Sequence, residues 1–167
     1  QMLINIDSLG NLEGRVGWFD ESVYPDGTAV AQVAYWNEFG TKTAPPRPFM
    51  RPTSIEKENE WMGRAAILAK RVLAGAMDGR QAMDLLCASA QADVAKKIES
   101  ITTPPLSPIS LGARKYRMMG KKVTGATIGE IARLLAEGKL DISGVSTKPL
   151  DDTGHMIATL SHMVVDA

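Results

Sequence analysis

Apolar residues recur along the chain in two rhythms. A period of two marks short stretches at both ends: Leu3-Ile4-Asn5-Ile6, then Arg15-Val16-Gly17-Trp18-Phe19-Asp20 with Val16 and Trp18 on one face, and finally residues 156–165, with Ile157, Leu160 and Val164 roughly inward. Strands are therefore expected near 2–6, 14–20 and 157–165. Gly10, Asn11 and Gly14 mark a turn between the first two, which read as a hairpin.

The rest follows helical spacing. Tyr24-Pro25-Asp26-Gly27-Thr28 is a loop whose Asp26 or Thr28 can cap a helix over 28–39. Val30, Val33, Trp36 (or Asn37) and Phe39 share a side of it, and Gly40 suits its C-terminal end. Residues 45–52 hold four prolines in eight positions. Proline lacks the amide donor and restrains the residue before it, so this segment is expected to be an extended arm over 43–52, or an edge strand near 47–51. Thr53-Ser54-Ile55-Glu56 then has capping-box spacing. A helix over 54–77 carries Ile55, Met62, Ala66, Ala69, Leu73 and Ala76 as its expected seam. Asp78-Gly79 breaks it, and a second helix over 80–101 places Met83, Leu86, Ala90, Val94 and Ile98 on one stripe before Thr102-Thr103-Pro104-Pro105 stops it. Shorter helices are expected over 110–119 and 127–137.

The fold class that follows is α+β, one domain over 1–167. A small antiparallel sheet packs on a short helix and a long antiparallel helical hairpin (54–101), with an extended proline-rich arm. Trp18, Val33, Trp36, Phe39, Met62, Leu73, Leu86 and Ile98 are the core candidates.

Composition narrows the function classes. The chain has 167 residues, 44% of them hydrophobic, which suits one modest core. No run approaches the length of a membrane span, and no basic stretch followed by a long apolar run marks a signal peptide at the N-terminus, so no membrane partner is expected. A single cysteine, Cys87, excludes an intrachain disulfide and a cysteine-rich zinc site, points to a reduced compartment, and reads as a small core hydrophobe. Two histidines, His155 and His162, leave little for metal or imidazole chemistry, and their odd separation puts them on opposite faces of a strand. The net charge is zero but segregated: −4 over 1–60, +7 over 61–125 and −3 over 126–167. Such a chain can pair with copies of itself or face an acidic surface.

Two short motifs bear on chemistry. Asp152-Thr153-Gly154 is the aspartic-protease tripeptide, but only 13 residues follow it, too few for the remainder of such an enzyme, so a turn before the last strand is the favoured reading. Arg114, Lys115, Arg117, Lys121 and Lys122 put five basic residues into nine around Tyr116. They could contact nucleic-acid phosphates, which makes a nucleic-acid-binding accessory protein the alternative function. A solvated or subunit-facing surface is favoured. No phosphate loop, metal motif or nucleophile elbow accompanies either motif, and neither enzymatic activity nor a cofactor is expected.

Three blocks carry a family resemblance. They are Tyr24-Pro25-Asp26-Gly27-Thr28 running into Val33-Ala34-Tyr35-Trp36-Asn37-Glu38-Phe39-Gly40-Thr41; Pro46-Arg47-Pro48-Phe49-Met50-Arg51-Pro52; and Lys148-Pro149-Leu150-Asp151-Asp152-Thr153-Gly154 with Met156 and a strand after it. In this order they resemble the small neck, or tail-completion, proteins of tailed bacteriophages and prophages. The likeness covers mainly 16–52 and 148–165, and residues 126–144 look like an insertion. The resemblance implies a structural virion protein, made in the host cytoplasm, that forms a homohexameric ring at the head–tail junction. Its implied neighbours are the head connector or stopper and the tail-terminator or tail-tube protein, with non-specific DNA contact in the lumen a further expectation. On this reading Arg47, Phe49, Met50 and Arg51 dock on a neighbour, the arginines through charge-assisted bonds, and Glu38 is an acceptor.

Overall fold

The computed structural model describes residues 11–19, 21–150 and 152–167. Two strands, β1 (Leu12–Gly17) and β2 (Ser161–Asp166), pair antiparallel with Leu12 opposite Asp166 and Gly17 opposite Ser161. The expected strand near 2–6 lies outside the described residues. Among the described residues, six helices account for most of the remainder: α1 (Val30–Phe39), α2 (Met50–Leu73), α3 (Gly79–Ser100), α4 (Pro108–Met118), α5 (Gly125–Ala136) and the single turn α6 (His155–Ala158). The fold is α+β, as the periodicities predict.

The helical hairpin forms where expected. Asp78 caps α3 by accepting the Gln81 amide at 2.7 Å. Contacts across the pair run antiparallel: Glu56 meets Lys97, Trp61 Nε1 donates to Asp93 at 2.9 Å, and Arg64 reaches Ser89. Leu68 and Val72 of α2 pack against Ala82, with Met77 and Leu86 beside them. Both strands lie against α3.

The main core gathers Val30, Ala34, Phe49, Val94, Ile98, Leu150, Met156 and Leu160. It joins residues far apart in sequence, and Trp18 seals its edge: the indole donates to the Met156 carbonyl at 2.7 Å and meets the Phe49 ring edge-on at 5.8 Å. Cys87 is buried as a small apolar side chain. The histidines part company, His155 in α6 reaching the Val23 carbonyl and His162 in β2 bonding Gln91 and Asp84.

Several expectations need correction. Residues 47–51 form no strand. Pro45, Pro46 and Pro48 offer no ladder donors, and the amides of Phe49, Met50 and Arg51 are taken by the Glu38 carboxylate, so the chain turns straight into α2 at Met50. Pro52 sits in the first turn of that helix, where a missing amide costs little. The buried side of α1 is Val30, Ala34 and Glu38, rotated from the expected one, and Trp36 and Phe39 are exposed. Met62 and Leu73 are exposed as well, because α2 turns its Leu68–Val72 face to α3 and not the expected Ile55–Leu73 seam. The last strand begins only at Ser161, after the α6 turn. The capping box belongs to α5, where Thr124 and Thr127 bond reciprocally.

Residues 126–144, expected as an insertion, carry α5 onto α4. Ala113, Tyr116 and Ile131 form a second packed layer with Val123, Ile128, Leu134, Leu135 and Leu140. Gly112 makes the close approach feasible: a Cβ there would lie 2.5 Å from Ile131 Cγ2. Ile131 is fully buried and β-branched, so its methyl group has little room to yield. Gly112→Ala is therefore expected to destabilise the protein by about 1–3 kcal/mol despite alanine's better helix propensity. A lowered denaturation midpoint checks this; an unchanged or raised midpoint would show that α4 and α5 can move apart freely.

Candidate functional site

Residues of the first two resemblance blocks meet at one place, the junction of α1 with α2. Glu38, on the inward side of the last turn of α1, is 4% exposed. Its Oε2 accepts the amides of Phe49 at 2.6 Å and Met50 at 2.9 Å, and its Oε1 accepts the amide of Arg51 at 3.1 Å and its Nε at 2.9 Å. A carboxylate thus closes the positive end of α2 from another helix, where no side chain of the α2 N-cap residue does so. Burial acts to raise the Glu38 pKa, but the hydrogen bonds from Phe49, Met50 and Arg51 outweigh it and hold the carboxyl below its ordinary value.

The intervening segment is fastened along its length. Gly40, at φ 79°, ends α1, and a Cβ there would come 2.9 Å from the Pro46 nitrogen, so the tight fold-back of the arm needs glycine. The Arg47 amide donates to the Asn37 carbonyl at 2.7 Å. The Arg47 guanidinium, 6% exposed, donates through Nε to the Pro104 carbonyl at 2.8 Å and through Nη2 to the Pro105 carbonyl at 3.0 Å. Arg51 stacks over the Phe39 ring, 4.5 Å from its centroid. Thr53, also buried, donates its hydroxyl to the Phe49 carbonyl at 2.6 Å.

This geometry overturns the docking role expected of the arm. Phe49 is fully buried and Arg47 and Glu38 nearly so, all within the one chain, and Met50 packs half-buried against the same core. Of the five residues expected at a partner interface, only Arg51 keeps a substantially exposed side chain. The proline-rich segment is an internal brace joining α1, α2 and the 104–105 turn.

The third block lines a cleft of about 820 Å³ between α1, α4 and α5. Val33, Trp36, Ile109 and Ile128 form its apolar walls, and Asp152 and His155 lie at its polar side. Asp152 pairs with Arg114 Nε at 3.3 Å and Arg117 Nη2 at 2.5 Å. Arg114 is buried and also donates to the carbonyls of Ser146, Lys148 and Pro149. Both guanidinium groups come from α4 of the same chain and tie the carboxylate into a structural contact, which fits the turn reading of the tripeptide.

The basic segment is not one surface. Arg114 is spent inside the fold and Arg117 pairs with Asp152; Lys115 donates to the Ser143 carbonyl at 2.9 Å and Lys121 stands 4.7 Å over the Tyr116 ring. Lys122 is exposed. The structure therefore removes Arg114 from the expected nucleic-acid contact set and ties Arg117 to a carboxylate. Among the described residues no cluster of His, Cys, Asp or Glu could hold a metal ion, and no helix is long and apolar enough to cross a membrane.

What the sequence reasoning missed is an outward apolar surface. Tyr35 (60% exposed) stacks on Phe39 (50% exposed) with centroids 4.7 Å apart on α1. Ile55, Met62 and Leu73 line the outer side of α2. Arg51, one turn before Ile55 and lying over Phe39, is where the two meet. The signal was present as two apolar stripes on α2 where one partner helix needs only one. Compared with protein-family models, curated proteins and solved structures, the chain matches none.

Proposed function

We propose that this protein is a non-enzymatic structural subunit of a tailed phage or prophage virion. In this reading it forms a homo-oligomeric ring at the head–tail junction, completing the tail and joining it to the head connector. The observation that carries the proposal is the apolar surface left on α1: Tyr35, Trp36 and Phe39 all project outward, while the polar groups of the neighbouring cleft are engaged with one another. Contiguous exposed aromatic surface favours contact with another protein, and aromatic side chains are effective anchors there. The resemblance supplies the setting. Its most specific residues, Glu38, Gly40, Arg47 and Phe49, hold the subunit's own fold, as a signature in a protein with an architectural role would. The docking that was expected of the arm passes to the aromatics of α1, with Arg51 beside them.

Tyr35→Asp tests the proposal. The side chain is largely exposed, so the helical circular dichroism and thermal melt are expected to stay as in the unmodified protein. Ring formation and the yield of joined particles, followed by light scattering and electron microscopy with purified tails, are expected to fall by about tenfold or more. Full joining by Tyr35→Asp, or turnover of a substrate by the purified chain, would overturn this function.

A further inference from the structure

The outer face of α2 has a pattern the hairpin does not use. At 100° per residue, Ile55, Met62, Ala66 and Leu73 fall in one narrow stripe running along about 27 Å of the helix. Ile55 is 76%, Met62 64% and Leu73 39% exposed, and Ala66 is exposed too. Leu68 and Val72, which grip α3, lie on a different side.

The stripe reads the same from either end, with steps of seven, four and seven residues. Turned end for end about the point between Met62 and Ala66, it sets Ile55 opposite Leu73 and Met62 opposite Ala66. Large then meets small at the centre, and branched aliphatics meet at both ends. Charge follows the same symmetry. Residues 56–60 carry Glu56, Glu58 and Glu60 against Lys57 alone, whereas residues 61–73 carry Arg64, Lys70 and Arg71 and no acid. Of these, Glu58 and Lys70 lie within about 60° of the stripe, and neither has an ion-pair partner among the described residues. Antiparallel pairing brings the level of Glu58 in one copy to the level of Lys70 in the other, twice over; parallel pairing sets like beside like.

We infer that α2 is a self-recognition surface, pairing antiparallel through Ile55, Met62, Ala66 and Leu73 with the same helix of a second copy of this chain. The contact is isologous and closes at two copies, unlike the head-to-tail contacts of a ring. It does not rest on the virion proposal.

The test is the solution mass of the purified full chain by sedimentation or multi-angle light scattering. Met62→Glu and Ile55→Glu, both at exposed positions, are each expected to halve the mass of the unmodified species while keeping its helical circular dichroism. For a simple dimer, that is a fall to the 18.0 kDa of one chain. Two variants are used so that one failing to fold leaves the other to decide. The double variant Ile55→Cys/Leu73→Cys is expected to give a covalent dimer on oxidation, and neither single variant to do so. Tyr35→Asp, on α1, is expected to leave the pairing intact, which separates failure here from failure of the ring. An unmodified chain that is already monomeric, a mass that neither glutamate variant lowers, or cross-linking by Ile55→Cys alone would overturn the inference.

Discussion

Phe49→Ala is expected to cost about 3–5 kcal/mol of folding stability, enough to threaten a native state whose total stability is of the order of 5–15 kcal/mol. The ring is fully buried at the centre of the core that joins α1, α3, Leu150 and the α6 turn, with the Trp18 indole edge-on against it. Removing it deletes the transfer contribution of an aromatic side chain and leaves a cavity in a cluster to which Val30, Ile98 and Leu160 come from separate elements. Because several elements share that void, none can collapse into it without losing contacts elsewhere. Phe49→Leu, which retains much of the apolar volume, is expected to cost less. Denaturant midpoints of the two variants check this ordering. A Phe49→Ala chain that melts like the unmodified protein but fails to associate would return the residue to a docking role.

Substituting Glu38 is the second large perturbation. Glu38→Ala is expected to destabilise by about 2–4 kcal/mol, because it strips the amides of Phe49, Met50 and Arg51 of their acceptor at a buried helix end and leaves the α2 dipole uncapped. Glu38→Gln keeps an acceptor oxygen but not the charge, and falls between. The lowered carboxyl pKa makes the effect pH-dependent. Since the folded value lies below the unfolded one, the carboxylate's contribution is complete above the ordinary glutamate value of 4.5 and drains away as pH falls through the lowered folded value. The gap in stability between the unmodified protein and Glu38→Gln is therefore expected to be widest near neutrality and to close in acid. Midpoints measured on both sides of that range decide the matter; a gap that stays constant would mean that the folded carboxyl is not ionised.

Both residues stand in the blocks that carry the phage resemblance, and both were expected to face a neighbour. The prolines keep residues 45–48 out of helix and ladder, as their chemistry requires, although residues 50–52 of the expected arm open α2. What that chemistry leaves open is where an extended segment lies. Docking on another subunit and bracing one's own place the same demands on Pro45, Pro46 and Pro48. Here the acceptors that decide between them are Glu38, the Asn37 carbonyl and the carbonyls of Pro104 and Pro105, the last two nearly sixty residues away in sequence. Asp152 tells a similar story. Its tripeptide is legible at once, but its role depends on Arg114 and Arg117, which another helix delivers to it.

Local rules were enough for the helical hairpin with its break at Asp78-Gly79, the approximate positions of the two strands, though not their pairing with each other, and the burial of Cys87. Each follows from side-chain period, turn residues or composition over a short window, and the α+β class follows from their order. They did not select a face. Trp36, Phe39, Met62 and Leu73 sit at correct helical spacing yet point outward, because α1 had to turn Glu38 toward the start of α2, and α2 had to turn Leu68 and Val72 toward α3. Periodicity states that a helix has an apolar side; which of two such sides is covered depends on the partner's position, a non-local property set only when the elements pack.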